Sequence, residues 1–198
     1  MRIIGLTGGI ACGKSTLAAM LGALGASVID ADAVSRSLTA PGGAALPGVR
    51  QAFGAEVFHA DGTLNRKALA RKVFGSPQEL QKLNAVTHPL ILSAMEAQID
   101  LCRKRGDPIV VLDVPLLFET GLDRLCHATV CAVADESTQL ARLESRDGMA
   151  REQALARIRS QMPVKEKAAR SSVTVDTQKP LSDLRTQMEQ LYKSWLNA

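Results

Sequence analysis

Residues 8–15 read Gly8-Gly9-Ile10-Ala11-Cys12-Gly13-Lys14-Ser15 and match the pattern GxxxxGK[ST]. Such a loop binds phosphate only where it joins a strand to a helix, so the flanks constrain the fold as much as the motif does. Before it, RIIGLT (residues 2–7) is a short apolar run that reads as a buried strand. After it, Leu17, Met20, Leu21 and Leu24 recur at helical spacing. Gly25 stops that helix, and residues 27–29 form a second strand. The chain therefore opens strand, phosphate loop, helix, strand, the start of a parallel α/β sheet. In such a loop the glycines let the backbone wrap a phosphate chain, and the N–H groups and helix N-terminus supply positive potential. Lys14 reaches the β- and γ-phosphates, and the Ser15 hydroxyl is placed for Mg²⁺.

From residue 32 to 105 the pattern is helical. PGGAALPG (residues 41–48) breaks it, HADGTLNR (residues 59–66) carries an Asp-Gly turn, and Ser76-Pro77 is an N-cap with proline at the first helical position. His88-Pro89 is expected to start a further helix, with Ile91, Met95, Ile99 and Cys102 on one face. The stretch is too long for one crossover helix and implies a helical insertion. Strands resume at residues 108–114, apolar throughout and so buried on both faces, then at 129–133 and 173–175. Leu181, Leu184, Met188, Leu191 and Trp195 mark an amphipathic C-terminal helix.

The 198 residues suit one domain with an insertion. No apolar run is long enough to span a bilayer, and the opening MRIIGLTGG lacks a signal peptide's apolar region, so a cytoplasmic protein with no membrane partner is expected. Aromatic residues are 3%, too few for the stacking platforms of a single-strand nucleic-acid binder. Lys+Arg exceed Asp+Glu by 24 to 20, and the excess lies between residues 142 and 170. Alone, that stretch would read as a solvated helical face; beside a phosphate loop it reads as an anion-binding segment. Cys12, Cys102, Cys126 and Cys131 form no CxxC or zinc spacing and read as reduced packing residues. Cys12 carries one further expectation: at a helix N-terminus its thiol should be acidified and open to alkylation.

Three classes use this loop. A guanine-nucleotide switch would carry NKxD, which is absent. A motor or transporter ATPase would be larger. A small kinase needs an acceptor-binding region and a mobile lid, which the insertion and the basic stretch could supply. Asp32, just past the second strand, can serve as the base that takes a hydroxyl proton, or merely as a helix N-cap; Asp30 reads as structural. Asp113, closing the third strand, is a candidate to hold Mg²⁺ through water. Phe118 reads as packing, and Glu119 as a possible ligand contact. Arg142 and Arg146, four apart, share a helix face suited to phosphate or a stacked base.

The motifs GLTGGIACGKST (residues 5–16), VIDAD (28–32) with Arg36, PGG (41–43), FG (53–54), DGTLNR (61–66), His88-Pro89, DVPLLFE (113–119), QLARLESRDG (139–148) and Gln161 together resemble the dephospho-CoA kinase family. The resemblance covers nearly the whole chain. It implies a phosphate-loop kinase fold of the nucleoside-monophosphate-kinase type, α/β with a five-stranded parallel sheet. Residues 1–31, 106–139 and 166–198 would form the nucleotide-binding core, 32–105 a helical dephospho-CoA-binding domain and 140–165 a lid. It implies phosphorylation of the ribose 3′-hydroxyl of dephospho-CoA by ATP with Mg²⁺. Asp32 and Lys14 would be catalytic. Gly8, Gly9, Ile10, Ala11, Cys12, Gly13, Lys14, Ser15, Thr16, Arg142 and Arg146 would bind ATP. Asp32, Arg36, Arg66, His88, Pro89 and Glu119 would bind the acceptor, and Ser15 and Asp113 would face the metal. The expected partners are these small molecules, without nucleic acid, and the expected state is a monomer or weak homo-oligomer. Another hydroxyl or nucleotide acceptor, or a non-catalytic nucleotide-binding regulator, are the alternatives. Asn65 stands where the family usually has aspartate. Ser171, Ser172 and Thr177 stand where it shows Ala-Asp and asparagine, in a loop expected to border the adenine.

Overall fold

The computed structural model describes residues 1–73 and 75–197. Its sheet has five parallel strands, β1 (Arg2–Gly8), β2 (Ser27–Asp30), β3 (Ile109–Asp113), β4 (Ala128–Val133) and β5 (Val173–Asp176), in the order β2-β3-β1-β4-β5. β1 lies between β3 and β4, with Ile4 opposite both Val111 and Ala128. Every residue of β3 is buried, which accounts for its unbroken apolar run. The helices are α1 (Lys14–Ala23), α2 (Ala31–Leu38), α3 (Leu46–Phe53), α4 (Arg66–Val73), α5 (Pro77–Arg105), α6 (Glu136–Asp147), α7 (Arg151–Arg159), α8 (Val164–Arg170) and α9 (Leu181–Leu196).

The chain divides into two compact units, Met1–Ile29 with Cys102–Ala198, and Asp30–Leu101. Residues 140–165 belong to the unit that holds the sheet. The core of that unit packs Ile4, Leu6, Ile109, Val111 and Val130 of the sheet with Leu17 and Leu21 of α1 and Leu184, Met188 and Trp195 of α9. Tyr192 completes the α9 face, whereas Leu181 is 58% exposed, so the expected apolar stripe is shifted towards the C-terminus. The other unit has its own small core of Ala45, Val49, Phe53, Val57 and Leu69. The Asp-Gly turn closes a bridge between Phe58 and Leu64, with Asp61 accepting from the Thr63 N–H (2.9 Å) and Gly62 at φ +83°.

Of the two proline-marked helix starts expected in the second unit, one is real and one is not. Ser76 Oγ accepts from the Glu79 N–H (3.3 Å), with Pro77 the first residue of α5. His88-Pro89, however, starts no helix: Pro89 lies inside α5. A mid-helix proline loses one backbone hydrogen bond. Burial of Met95, Ile99 and Cys102 along one face outweighs that loss and keeps α5 continuous.

Candidate active site

The phosphate loop is built by tying its carbonyls outward. The Ile10 carbonyl accepts from Gln139 Nε2 (2.8 Å), the Ala11 carbonyl from Arg142 Nη1 (3.0 Å) and the Cys12 carbonyl from Thr177 Oγ1 (2.8 Å). In a trans peptide the carbonyl and the following N–H point opposite ways, so each outward carbonyl turns an N–H to the other side. Gly13 (φ +77°) caps α1, and a Cβ there would meet Thr177 at 3.0 Å as well as sit in a backbone region that disfavours it. The Cys12 N–H is taken by the Gly9 carbonyl (3.1 Å), which leaves the Ala11 and Gly13 N–H groups turned from these contacts at a helix N-terminus, the setting that binds anions.

Lys14 Nζ is paired with Asp113, so the loop cation is held at the end of β3. Ser15, the next residue, is exposed. Among the described residues no cluster of three or more His, Cys, Asp or Glu could hold a metal by itself. One hydroxyl and one carboxylate suit Mg²⁺ that arrives with phosphate oxygens and keeps its waters. Beyond Asp113 the chain is anchored at the Pro115 carbonyl, which accepts from Thr7 Oγ1 (3.1 Å) and Lys167 Nζ (2.6 Å). Lys167 is fully buried, and its ammonium also pairs with Glu119 Oε1 (2.8 Å), which accepts from the Met162 N–H (3.2 Å). Phe118 is packed as expected, with the Arg170 guanidinium 4.6 Å from its ring centroid.

Beside the loop lies a cavity of about 300 Å³ lined by Ala11, Gly13, Ser15 and Thr16 on one side and Arg142 and Arg146 on the other. Arg142 is fixed further by Thr177, whose hydroxyl and carbonyl both accept from it. Arg146 forms a two-pronged pair with Asp147 (2.7 and 2.9 Å). Thr177 thus supports the loop itself, while Ser172 bonds to Thr129 (3.0 Å). The acidified Cys12 does not materialise. The side chain is fully buried beneath the loop, with Gln139 Nε2 at 3.1 Å from Sγ. Burial pushes the thiol up, and the opposing Gly9 backbone, Arg142 and Gln139 do not cancel that.

In the second unit the cap question resolves cleanly. Asp30 caps α2, accepting from the Asp32 and Ala33 N–H groups (2.8 and 3.0 Å), and Arg36 pairs with it at 3.6 Å. Asp32 lies in the first turn, exposed, and its carboxylate has no hydrogen bond or ion pair among the described residues. Arg66 Nη2 donates to Thr39 Oγ1 (2.8 Å) and the Arg36 carbonyl (3.3 Å), which brings Arg36 and Arg66 together. Asn65 Oδ1 accepts from the Ala68 N–H (3.0 Å), the same cap an aspartate would make. His88 and Pro89 are exposed on α5.

The structure also supplies side chains that sequence reasoning gave no role. Lys167 was counted in the basic stretch, yet it is buried; Gln139, Gln161 and Thr177 hold the loop. The loop contacts of Gln139, Gln161 and Thr177 span more than a hundred residues, whereas Lys167 reaches back 52 residues to Pro115 and also to Glu119. Gln139 and Gln161 carried a signal only as parts of the family pattern, and Thr177 only as a departure from it.

A phosphate loop ahead of α1, an acid closing β3 and the strand order β2-β3-β1-β4-β5 define a phosphate-loop kinase of the nucleoside-monophosphate-kinase type. A shikimate kinase from Acinetobacter baumannii shares this fold, with a TM-score of 0.53 at 17% identity over 98% of this chain and 94% of that one. The particular family is narrower: the dephospho-CoA kinase family model matches residues 2–183, and the chain belongs to that family. Dephospho-CoA kinase of Anaeromyxobacter dehalogenans is 47% identical over 89% of this chain and 83% of its own length. That of Symbiobacterium thermophilum is 44% identical over 98% and 81%. The crystal structure of TT1252 from Thermus thermophilus superposes with a TM-score of 0.84 at 34% identity, over 98% of this chain and 97% of that one.

Proposed function

We propose that this chain transfers the γ-phosphoryl group of ATP to the ribose 3′-hydroxyl of dephospho-CoA, giving coenzyme A and ADP, the last step of coenzyme A synthesis. The observation that carries the reading is the loop at residues 8–16, its carbonyls tied outward and its lysine poised at Asp113, in a chain of this family. The amides of Ala11 and Gly13, set by the outward carbonyls of Ile10 and Cys12, cradle the phosphates together with the start of α1. Lys14 leaves Asp113 for the transferring group and neutralises its charge. Ser15 and, through water, Asp113 would hold Mg²⁺ arriving with ATP, which would supply further charge neutralisation. Arg142 and Arg146 hold the nucleotide, with residues 140–165 acting as the lid.

On the acceptor side, residues 32–105 bind dephospho-CoA. Asp32, with no other partner to satisfy, takes the 3′-hydroxyl proton. Arg36 and Arg66 offer neighbouring cations to acceptor phosphates, with His88 and Pro89 as further acceptor contacts in the same unit, and Glu119 of the other unit is a further acceptor contact. No helix among the described residues is long and apolar enough to cross a membrane. The enzyme works in the cytoplasm on these two small molecules, as a monomer or weak homo-oligomer, without nucleic acid.

A panel of hydroxyl acceptors with Mg²⁺ and ATP, read by ADP release, tests the reading. Turnover with dephospho-CoA well above that with any nucleoside monophosphate is expected. Preference for another acceptor, or nucleotide binding with no acceptor-dependent ADP, overturns it.

A further inference from the structure

Ile10 is gripped on both sides by the chain between β4 and β5. Its N–H, in the Gly9–Ile10 peptide, donates to Gln161 Oε1 (3.1 Å). Its carbonyl, in the Ile10–Ala11 peptide, accepts from Gln139 Nε2 (2.8 Å). Gln139 stands in the first two turns of α6 and is 3% exposed; Gln161 stands in the link between α7 and α8. The same stretch packs Ile10 and Ala11 against Leu140, Leu143 and Ala154. The chemistry is matched at each end, acceptor to N–H and donor to C=O.

Ala11 shows why such a grip is needed. It holds φ +57° without being glycine, a conformation that persists only when the surroundings impose it. The Ile10 carbonyl and the Ala11 N–H share one planar trans peptide. Holding the carbonyl at Gln139 aims that N–H to the opposite side. Released, the peptide could turn its carbonyl inward, towards the place of an anion.

We propose that Gln139 and Gln161 are positioning residues for ATP: Gln139 turns the Ile10–Ala11 peptide so that the Ala11 N–H faces the phosphate site, Gln161 holds the Gly9–Ile10 peptide by its N–H, and together they make the placement of residues 136–163 part of the ATP affinity. This rests on the reading of the loop as the ATP site. Neither glutamine touches the reacting atoms; both act through the loop backbone.

The test is steady-state kinetics of Gln139→Met and Gln161→Met in the full chain, with melting temperatures and amide exchange of Ile10 by NMR. Each variant should raise KM for ATP about tenfold, the effect of one net hydrogen bond, with KM for dephospho-CoA within twofold. The double variant should rise by well under the product of the two, because both bonds hold one residue. Gln161→Met should also speed exchange of the Ile10 amide, and Gln161→Glu, which still accepts from that N–H, should restore its protection. A folded Gln161→Met variant with KM for ATP within twofold of wild type, or with both KM values raised alike, overturns the proposal. So does unchanged Ile10 exchange. If Gln139→Met, deeply buried, does not fold, the Gln161 variants decide. A wild-type chain that neither binds ATP nor transfers phosphate fails differently, since it removes the functional reading first and the proposal with it.

Discussion

Lys14, in the loop, and Asp32, in the first turn of α2, are the residues proposed for the two halves of the chemistry, and their variants should fail differently. Lys14→Ala should lower kcat by roughly 10²–10³-fold, the usual effect of removing one preorganised charge at a transition state. Asp32→Asn keeps shape and one acceptor oxygen, so it should lower kcat by about 10²–10⁴-fold with little change in ATP affinity. Wild-type kcat in either, measured by coupled ADP release, would remove that residue from the mechanism. The cysteines make the opposite point. Burial holds the Cys12 and Cys102 thiols above their ordinary value and pushes Cys131 to about 11 and Cys126 to about 12. Thiolate, the reactive form, is therefore scarce at pH 7.5. Native protein should take up no iodoacetamide over an hour and four equivalents after denaturation; rapid labelling of Cys12 blocked by ATP would contradict this. The sequence places Cys12 at a helix N-terminus but carries no sign that Gln139 and the sheet close over it, so burial is what the sequence reading lacked.

Elements were legible where one local pattern decides them. Each apolar run became a strand, and the helix after the loop has the Leu17 and Leu21 face that its spacing requires. Ser76-Pro77 marks a true start because cap and proline are local chemistry. His88-Pro89 misleads for the complementary reason: whether a helix survives an interior proline depends on burial further along α5. This yields a stability prediction. Pro89→Ala restores one N–H to an exposed turn, and should stabilise the chain by about 1 kcal/mol, less than the ~3 kcal/mol helix-propensity difference because the helix has already adapted. If Pro89 shapes the acceptor surface, KM for dephospho-CoA should rise in the same variant. A lower denaturation midpoint would show that the helix needs the proline's geometry.

Across the molecule, order comes from contacts between distant parts of the sequence, and these are the least legible. Lys167 reads as one of several surface cations, yet it is fully buried and joins the Pro115 carbonyl to Glu119. Lys167→Met leaves a half-buried carboxylate without its cation and should cost about 3 kcal/mol, the low end for breaking such a pair. Adding Glu119→Gln should recover part of it in urea titrations; a double variant less stable than the single would contradict the pairing. Acid should act globally as well. Asp107, bonded to the Arg105 guanidinium and the Ser27 hydroxyl, is held at about 2 against an ordinary 3.8. The α6 N-terminus lowers Asp135, and Arg146 lowers Asp147. Folded values below unfolded ones mean that this stability is complete above about pH 4 and is lost as pH falls through about 2. The melting temperature should be flat from pH 7 to 5 and drop below 4; a flat profile down to pH 2.5 would contradict it.

The central claim is a bond formed at one oxygen, and the product tests it most directly. The wild-type chain, Mg²⁺, ATP and dephospho-CoA should be followed by ³¹P NMR with assignment of the new phosphate. The account predicts one new phosphomonoester on the ribose 3′-oxygen, appearing in step with ADP and absent with Lys14→Ala. Phosphate on any other oxygen, or ADP formed with inorganic phosphate and no phosphorylated acceptor, would contradict it.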